Sequence, residues 1–275
     1  MRKAAAVLFL ILTFIMPCSV LAVSTDIPDW DYPVPAVILY DPSDYLVLAN
    51  RQNLLDSSYS PTDLVKVTAK HVNGDFELRR ACHEALSAMF NAAKEAGYTL
   101  YVKSAYRSYG TQSTMYENRL DKNKGRDDGW VSYPGASDHQ TGLGVDVLNY
   151  AWTQKDGMNA EFAKTAEAKW MAEHCHEFGF VIRYLSDKQA ITGINFEPWH
   201  LRYVGTECAA YMKENNLSLE EFTEEWQAYV ASYNANGGDF EAYCKSALSL
   251  PDPMGLDIYD NSGDEEMSFF FPGAN

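Results

Sequence analysis

The 275-residue sequence predicts an α+β fold. Segments with apolar residues at helical spacing are interspersed with short runs that alternate like strands, and no internal repeat is present. Hydrophobic residues make up 47% of the chain and charged residues 22%, a globular composition and not that of a disordered chain. The length allows one large domain or two small ones, at roughly 100–200 residues each.

The first 22 residues read as a secretory signal peptide. Arg2 and Lys3 precede an apolar run from Ala4 to Met16, Pro17 breaks it, and Val20-Leu21-Ala22 supplies small or aliphatic residues for a cleavage site. The run is too short for a membrane span, so the mature chain is expected to have none. Residues 23–43, rich in Pro, Asp and Tyr, read as an extended leader.

From residue 44 the elements follow in order. Tyr45–Ala49 is a candidate strand. Phe76 to Ala96 is the clearest helix: Phe76, Leu78, Ala81, Ala85, Met89, Phe90 and Ala93 share helical spacing, and Gly97 can end it. Tyr98–Lys103 alternates like a strand, Thr111–Leu120 reads as a second helix, and residues 121–135 form a polar loop. Ala160–Phe178 is a third helix, ended by Gly179. Phe180–Tyr184 is a strand, with another near His200. Leu219–Tyr233 looks helical, and Asn234–Gly238 breaks it. From Asp252 onward there are six acids and no Lys or Arg, and the chain closes with Phe269-Phe270-Phe271. Residues 223–275 are therefore set apart as an acidic C-terminal extension; its tail from Asp252 is expected to pack its aromatics on the domain and expose its acids, with partner binding as the alternative.

The net charge is −16, and loss of Arg2 and Lys3 with the leader makes it −18. Nucleic acid is thereby disfavoured as a partner, because a binder needs a basic face. Four cysteines remain after residue 22: Cys82, Cys175, Cys208 and Cys244. None forms a C-x-x-C pair, which argues against a cysteine zinc site. In an exported chain disulfides can form, and a Cys208–Cys244 bridge is favoured over the other pairings, with free buried thiols as the alternative.

Three segments carry chemistry. In Ser137-Asp-His139-Gln-Thr-Gly142-Leu-Gly144-Val-Asp146, a His and an Asp flank two glycines that permit tight bends and close backbone approach. Imidazole nitrogen and carboxylate oxygen are good zinc ligands, although this spacing alone does not single out a metal site. Glu197-Pro-Trp-His200 adds a second His and a carboxylate. On strand alternation His200 and Arg202 face one side, and Trp199, Leu201 and Tyr203 the other. His139, Asp146 and His200 make three ligands and leave a coordination position open, as in catalytic rather than structural zinc sites. Glu197 would then move the proton in hydrolysis. The third segment, Ser104-Ala-Tyr-Arg107-Ser-Tyr-Gly-Thr-Gln112, places an Arg at a strand-to-helix junction. There it can fork to a carboxylate, or form a structural salt bridge.

Together these segments resemble the VanY-type D-alanyl-D-alanine carboxypeptidases, zinc peptidases of bacterial cell-wall metabolism. Ser-x-His with Gly-x-x-x-Asp following, the later Glu-x-x-His, Tyr-Arg-Ser with Gln five residues after the Arg, and Glu177-Phe-Gly-Phe-Val-Ile-Arg-Tyr184 all match. The resemblance spans roughly residues 44–222, ending at Leu219-Glu-Glu-Phe222, and implies a catalytic domain with a small antiparallel sheet bearing one zinc ion. It further implies His139, Asp146 and His200 as zinc ligands and Glu197 as general base. Arg107 would sit on the scissile carbonyl or the substrate carboxylate. Ser137 and Gln112 would bind the terminal D-alanine of a peptidoglycan stem peptide, and Trp199 would pack beside the site. Cleavage of an L,D bond in a tetrapeptide stem stays open as an alternative to a D,D bond, and so does a non-catalytic zinc-containing wall-binding module.

His174-Cys-His176 looks like a metal cluster, but residues two apart on a helix point in opposed directions and cannot share an ion. A structural or surface role is expected for both histidines.

Overall fold

The computed structural model describes residues 28–40 and 43–249, so the signal-peptide reading and the tail beyond Ser249 lie outside the described residues. After a short helix α1 (Ala36–Leu39), strands β1 (Leu64–Lys66) and β2 (Glu77–Arg79) form a two-stranded antiparallel ribbon. Helix α2 (Arg80–Glu95) leads into β3 (Leu100–Ser104) and α3 (Tyr109–Lys122). Then come β4 (Gly144–Asn149), α4 (Tyr150–Thr153), α5 (Ala166–His174), β5 (Phe180–Ile182), α6 (Gln189–Thr192), β6 (His200–Tyr203), α7 (Thr206–Glu214), α8 (Leu219–Ala235) and α9 (Phe240–Ser249). The four-stranded antiparallel sheet has the order β3-β4-β6-β5.

Alternation along β4 and β6 divides the sheet by chemistry. Val145, Val147 and Leu201 join the main core, together with the stripe Cys82, Leu86, Met89 and Ala93 of α2. Spacings of four, three and four residues put that stripe on one helical face. Each large aliphatic side chain so buried contributes about 1.5–3 kcal/mol. The alternate positions, Gly144 and Asp146 on β4 and His200 and Arg202 on β6, pair across the strands and build the polar face.

Several elements depart from the sequence expectation. The stretch expected as helix from Phe76 begins with β2, and the helix starts at Arg80. Tyr45–Ala49 is not a strand. The carbonyls of Tyr45 and Val47 accept from Nη2 of the buried Arg202, at 2.9 and 2.7 Å, so a side chain takes the place of a ladder partner. The expected helix 160–178 splits into a 3-10 turn at Ala160–Lys164, α5 and a second 3-10 turn at Cys175–Phe178. The hydroxyl of Thr165 accepts from the amide of Ala168 and starts α5 afresh.

A second apolar cluster joins the N-terminal segment to the helices after the sheet: Tyr32, Val34 and Leu39 pack with Cys208, Met212, Leu219 and Phe222. Trp30 lies among Tyr229, Tyr233, Phe240 and Tyr243, with ring centroids 4.9–6.2 Å away. Helix α8 runs unbroken through position 222, started by a capping box between Ser218 and Glu221.

The favoured Cys208–Cys244 bridge is not formed. Among the described residues none of the four cysteines is in a disulfide, and all are buried: Cys82 and Cys175 in the main core, Cys208 on α7 in the second cluster, and Cys244 on α9. They are packed as small apolar side chains.

Candidate active site and metal centre

The segment expected to bind metal is a 3-10 turn, Asp138–Thr141, laid against the start of β4. Ser137 caps it, its hydroxyl accepting from the His139 amide. Gly142 ends the turn at φ +69°. Gly144 lets the turn lie on the strand, because a Cβ there would stand 2.9 Å from Asp138 main-chain and Cβ atoms. Both glycines therefore act as their spacing suggests.

The antiparallel pairing of β4 with β6 sets Asp146 directly opposite His200. Nε2 of His139 lies 3.4 Å from Oδ2 of Asp146, and Nδ1 of His200 lies 3.1 Å from Oδ1. The donor atoms of the three residues all fall within 4.8 Å of one another, and all three side chains are buried. A tetrahedral zinc with bonds of about 2.0–2.1 Å spaces its ligand atoms about 3.3 Å apart, so this donor set fits the ion. Nδ1 of His139 lies 2.6 Å from the Ala105 carbonyl and donates to it in the tautomer that leaves Nε2 as a lone pair. Nε2 has no hydrogen-bond partner of its own.

The two histidines differ in their electrostatics. Burial and the nearby Arg107 hold His139 down to about 4, so its ring is neutral at pH 7. Burial works against the charged form of His200 too, but Asp138 and Asp146 outweigh it and push the ring up to about 9. A metal taken up at His200 must therefore displace a proton. Burial would raise Asp146, yet the two histidines bring it well below the usual carboxylate range.

Glu197 sits one turn before His200, with Oε2 3.7 Å from His200 Nδ1. Its amide donates to the Tyr184 carbonyl, and its own carbonyl accepts from the His200 amide, which ties the carboxylate to the strand that carries the histidine. Burial, reinforced by Asp146 and Asp138, pushes Glu197 up to about 8. A carboxyl so placed can take and return a proton near neutral pH.

Arg107 precedes the cap of α3, and its amide donates to the His139 carbonyl. Its guanidinium lies in the field of Asp146, Glu197 and Tyr184, and its Nε is buried with no hydrogen-bond partner, a donor available to substrate. Gln112 is buried with one end engaged: its Nε2 donates at 2.7 Å to the Ser132 carbonyl in the loop after α3, leaving Oε1 unpartnered. Trp199 is buried and stacks on Trp130, with centroids 6.3 Å apart. His174, by contrast, pairs with Glu177 on the surface and is remote from the donor cluster in its contacts.

Four residues with no role expected from sequence complete the centre. Asp138 is fully buried and is bonded by Arg183 and Arg202. The ring of Tyr184 lies 5.0 Å from that of His200, and its hydroxyl donates to Asp138. A charged residue between two motif positions in a glycine-rich turn was the available signal for Asp138.

Comparison with known proteins places this geometry. A family model described as VanY, D-alanyl-D-alanine carboxypeptidase, matches residues 75–206. YodJ of Bacillus subtilis, which carries a carboxypeptidase name, is 38% identical over 196 residues, covering 68% of this chain and 69% of that protein. The chain belongs to the VanY family. A D-alanyl-D-alanine carboxypeptidase of Enterococcus faecium is 28% identical over 83% of this chain and 76% of its own length. Among solved structures, the LdcB LD-carboxypeptidase superposes with a TM-score of 0.62 at 38% identity, covering 66% of this chain and 87% of that one. The vancomycin-resistance D,D-pentapeptidase VanY, in complex with Zn(II), gives 0.53 at 32% identity, covering 65% and 98%. This VanY-family chain therefore has the α+β fold of the zinc DD-peptidases, and its enzyme class is zinc metallocarboxypeptidase, with one Zn2+ as cofactor.

Proposed function

We propose that the protein removes the C-terminal D-alanine from peptidoglycan stem peptides, with a D,D bond as the substrate bond. The observation that carries this reading is the buried carboxyl of Glu197 beside three converging donor atoms. His139, Asp146 and His200 would hold the zinc. Bound zinc supplies Lewis-acid polarisation of the scissile carbonyl and makes a nearby water more acidic. Glu197 takes a proton from the attacking water and returns one to the nitrogen of the departing D-alanine. Arg107, through its unpartnered Nε, binds either the polarised carbonyl or the terminal carboxylate. Gln112, with its Oε1 unpartnered, would help bind the terminal D-alanine. Ser137, whose oxygen already accepts from the ligand turn, keeps its own proton to donate to substrate.

Residues 44–222 form the catalytic domain in this reading, and residues 1–22 export it to the cell envelope, where stem peptides are found. Relatives named for peptidoglycan carboxypeptidases support an extracytoplasmic site of action. Among the described residues no helix is long and apolar enough to cross a membrane.

A second reading, cleavage of the L,D bond of a tetrapeptide stem, is favoured by the likeness to the LD-carboxypeptidase LdcB. Mass spectrometry of residues 23–275 incubated with synthetic pentapeptide and tetrapeptide stems, with zinc and chelator controls, separates the two. Loss of alanine from the pentapeptide is expected; loss from the tetrapeptide alone would transfer the assignment to the L,D bond. Cleavage of neither by zinc-loaded protein would reject both.

A further inference from the structure

The site has a support that reaches outside the family-matched residues 75–206. The imidazole of His200 points Nδ1 at Asp146 and Glu197 and Nε2 the opposite way, toward Oδ2 of Asp138 at 3.7 Å. That separation is an ion-pair distance, longer than a hydrogen bond, and Nε2 is buried with no hydrogen-bond partner. Asp138 is also the residue before His139, so one carboxylate adjoins one expected zinc ligand through the chain and a second through space.

This carboxylate cannot readily turn away. Arg183 Nε donates to Oδ2 at 2.9 Å, Arg202 Nη1 donates to Oδ1, and the Tyr184 hydroxyl donates to Oδ2 at 3.4 Å. The two arginines are fixed in turn. Arg183 forks to Glu220 with two bonds of 2.7 Å, and Arg202 donates to the Tyr45 and Val47 carbonyls. Glu220 stands in the first turn of α8 and also accepts from Asn50. Two carboxylates and two guanidiniums thus form a buried quartet of zero formal charge, anchored by the segment before β1 and by α8.

A metal-bound imidazole generally needs an acceptor at its second nitrogen to set its tautomer and orientation. We propose that Asp138 is the positioning residue for His200, held in place by Arg183 and Arg202, and that Glu220 extends this support to α8. The proposal rests on the zinc-ligand assignment above. The quartet explains why a charged residue occupies a fully buried turn, where an unpaired carboxylate would be costly.

The test measures metal binding with no substrate present. Asp138→Asn keeps the shape and removes the charge. Its zinc Kd, from chelator competition, is expected to rise about 10–100-fold, and the visible spectrum of the Co(II)-substituted protein is expected to shift. A folded Asp138→Asn protein with zinc affinity within about twofold of the parent and an unchanged cobalt spectrum would overturn the proposal. Because that change leaves two buried arginines short of a partner, Glu220→Gln is measured in parallel. It touches no ligand and lies at the far end of the quartet. It should weaken zinc in the same direction by a few-fold and shift the cobalt bands; a parent-like Kd and spectrum would overturn the link to α8, and the whole proposal should Asp138→Asn fail to fold. Native zinc binding without cleavage of any stem peptide would count against the proposed function alone, whereas zinc binding that survives loss of His200 would count against the ligand assignment.

Discussion

Asp146 and His200 are direct cross-strand partners in the antiparallel pair β4–β6, with the His200 Nδ1 atom 3.1 Å from Asp146 Oδ1. Side chains alternate with period two, so a slip of one residue in this register would send both groups to the opposite face of the sheet. Replacing Asp146 with Ala is therefore expected to remove a donor without disturbing the ladder. The purified variant should hold far less than one equivalent of zinc by elemental analysis. Full metal content would take Asp146 out of the ligand set.

Glu197→Gln keeps the shape of the side chain and removes its capacity to carry a proton. Zinc content should stay near one equivalent, while release of D-alanine falls by roughly 10²–10⁴-fold, the usual worth of general acid–base catalysis. Turnover equal to the parent would dismiss Glu197 as the base.

The same substitution has a signature in the metal-free protein. The folded-state carboxyl of Glu197 is pushed up to about 8 from its ordinary 4.5, chiefly by burial. Between those values the folded state binds more protons at this position than the unfolded state. Stability from this group is full below about 4.5, declines as pH rises, and is lost once the group ionises near 8. Thermal melts of metal-free protein should show Glu197→Gln more stable than the parent at pH 9, with the gap closing toward pH 5. A gap independent of pH would contradict the raised value.

Gly144→Ala probes the approach of the ligand turn to β4. The new Cβ would meet the Asp138 main chain at 2.9 Å. Overpacking of this kind costs about 1–3 kcal/mol, and relief requires the turn carrying His139 to move. Lower melting temperature and weaker zinc binding should appear together. Parent-like zinc affinity would mean that the turn can shift without moving its ligand.

Arg107→Lys retains the charge and loses the planar fork. If Nε meets substrate, kcat/KM should fall by 10-fold or more while zinc content is unchanged. A mild effect would indicate that Arg107 is chiefly structural, acting through its contacts with the turn and α3.

Much of the site was legible because its chemistry is written in local patterns. Ser137 to Asp146 and Glu197 to His200 are short motifs, and the alternation of β6 placed His200 and Arg202 on one face, where Asp138 meets both. What escaped were the partners of those residues. Tyr184 and Arg183 lie on the far side of a turn, and Glu220 is 37 positions from the arginine it forks with. Local periodicity carries no information about contacts at such separations.

The same division runs through the fold. Residue type and local pattern were enough for the α+β class, for the existence of the helix that became α2, and for the glycine-dependent turn. Each of these depends on residue type and on spacings of a few positions. The tertiary structure was needed to show that residues 45–47 serve as carbonyl acceptors and not as a strand, that Cys208 and Cys244 are buried without a bridge between them, and that Glu220 of α8 reaches the buried Arg183. Those outcomes turn on where a buried guanidinium must find oxygen atoms, a demand that exists only once the sheet and its flanking helices have excluded water.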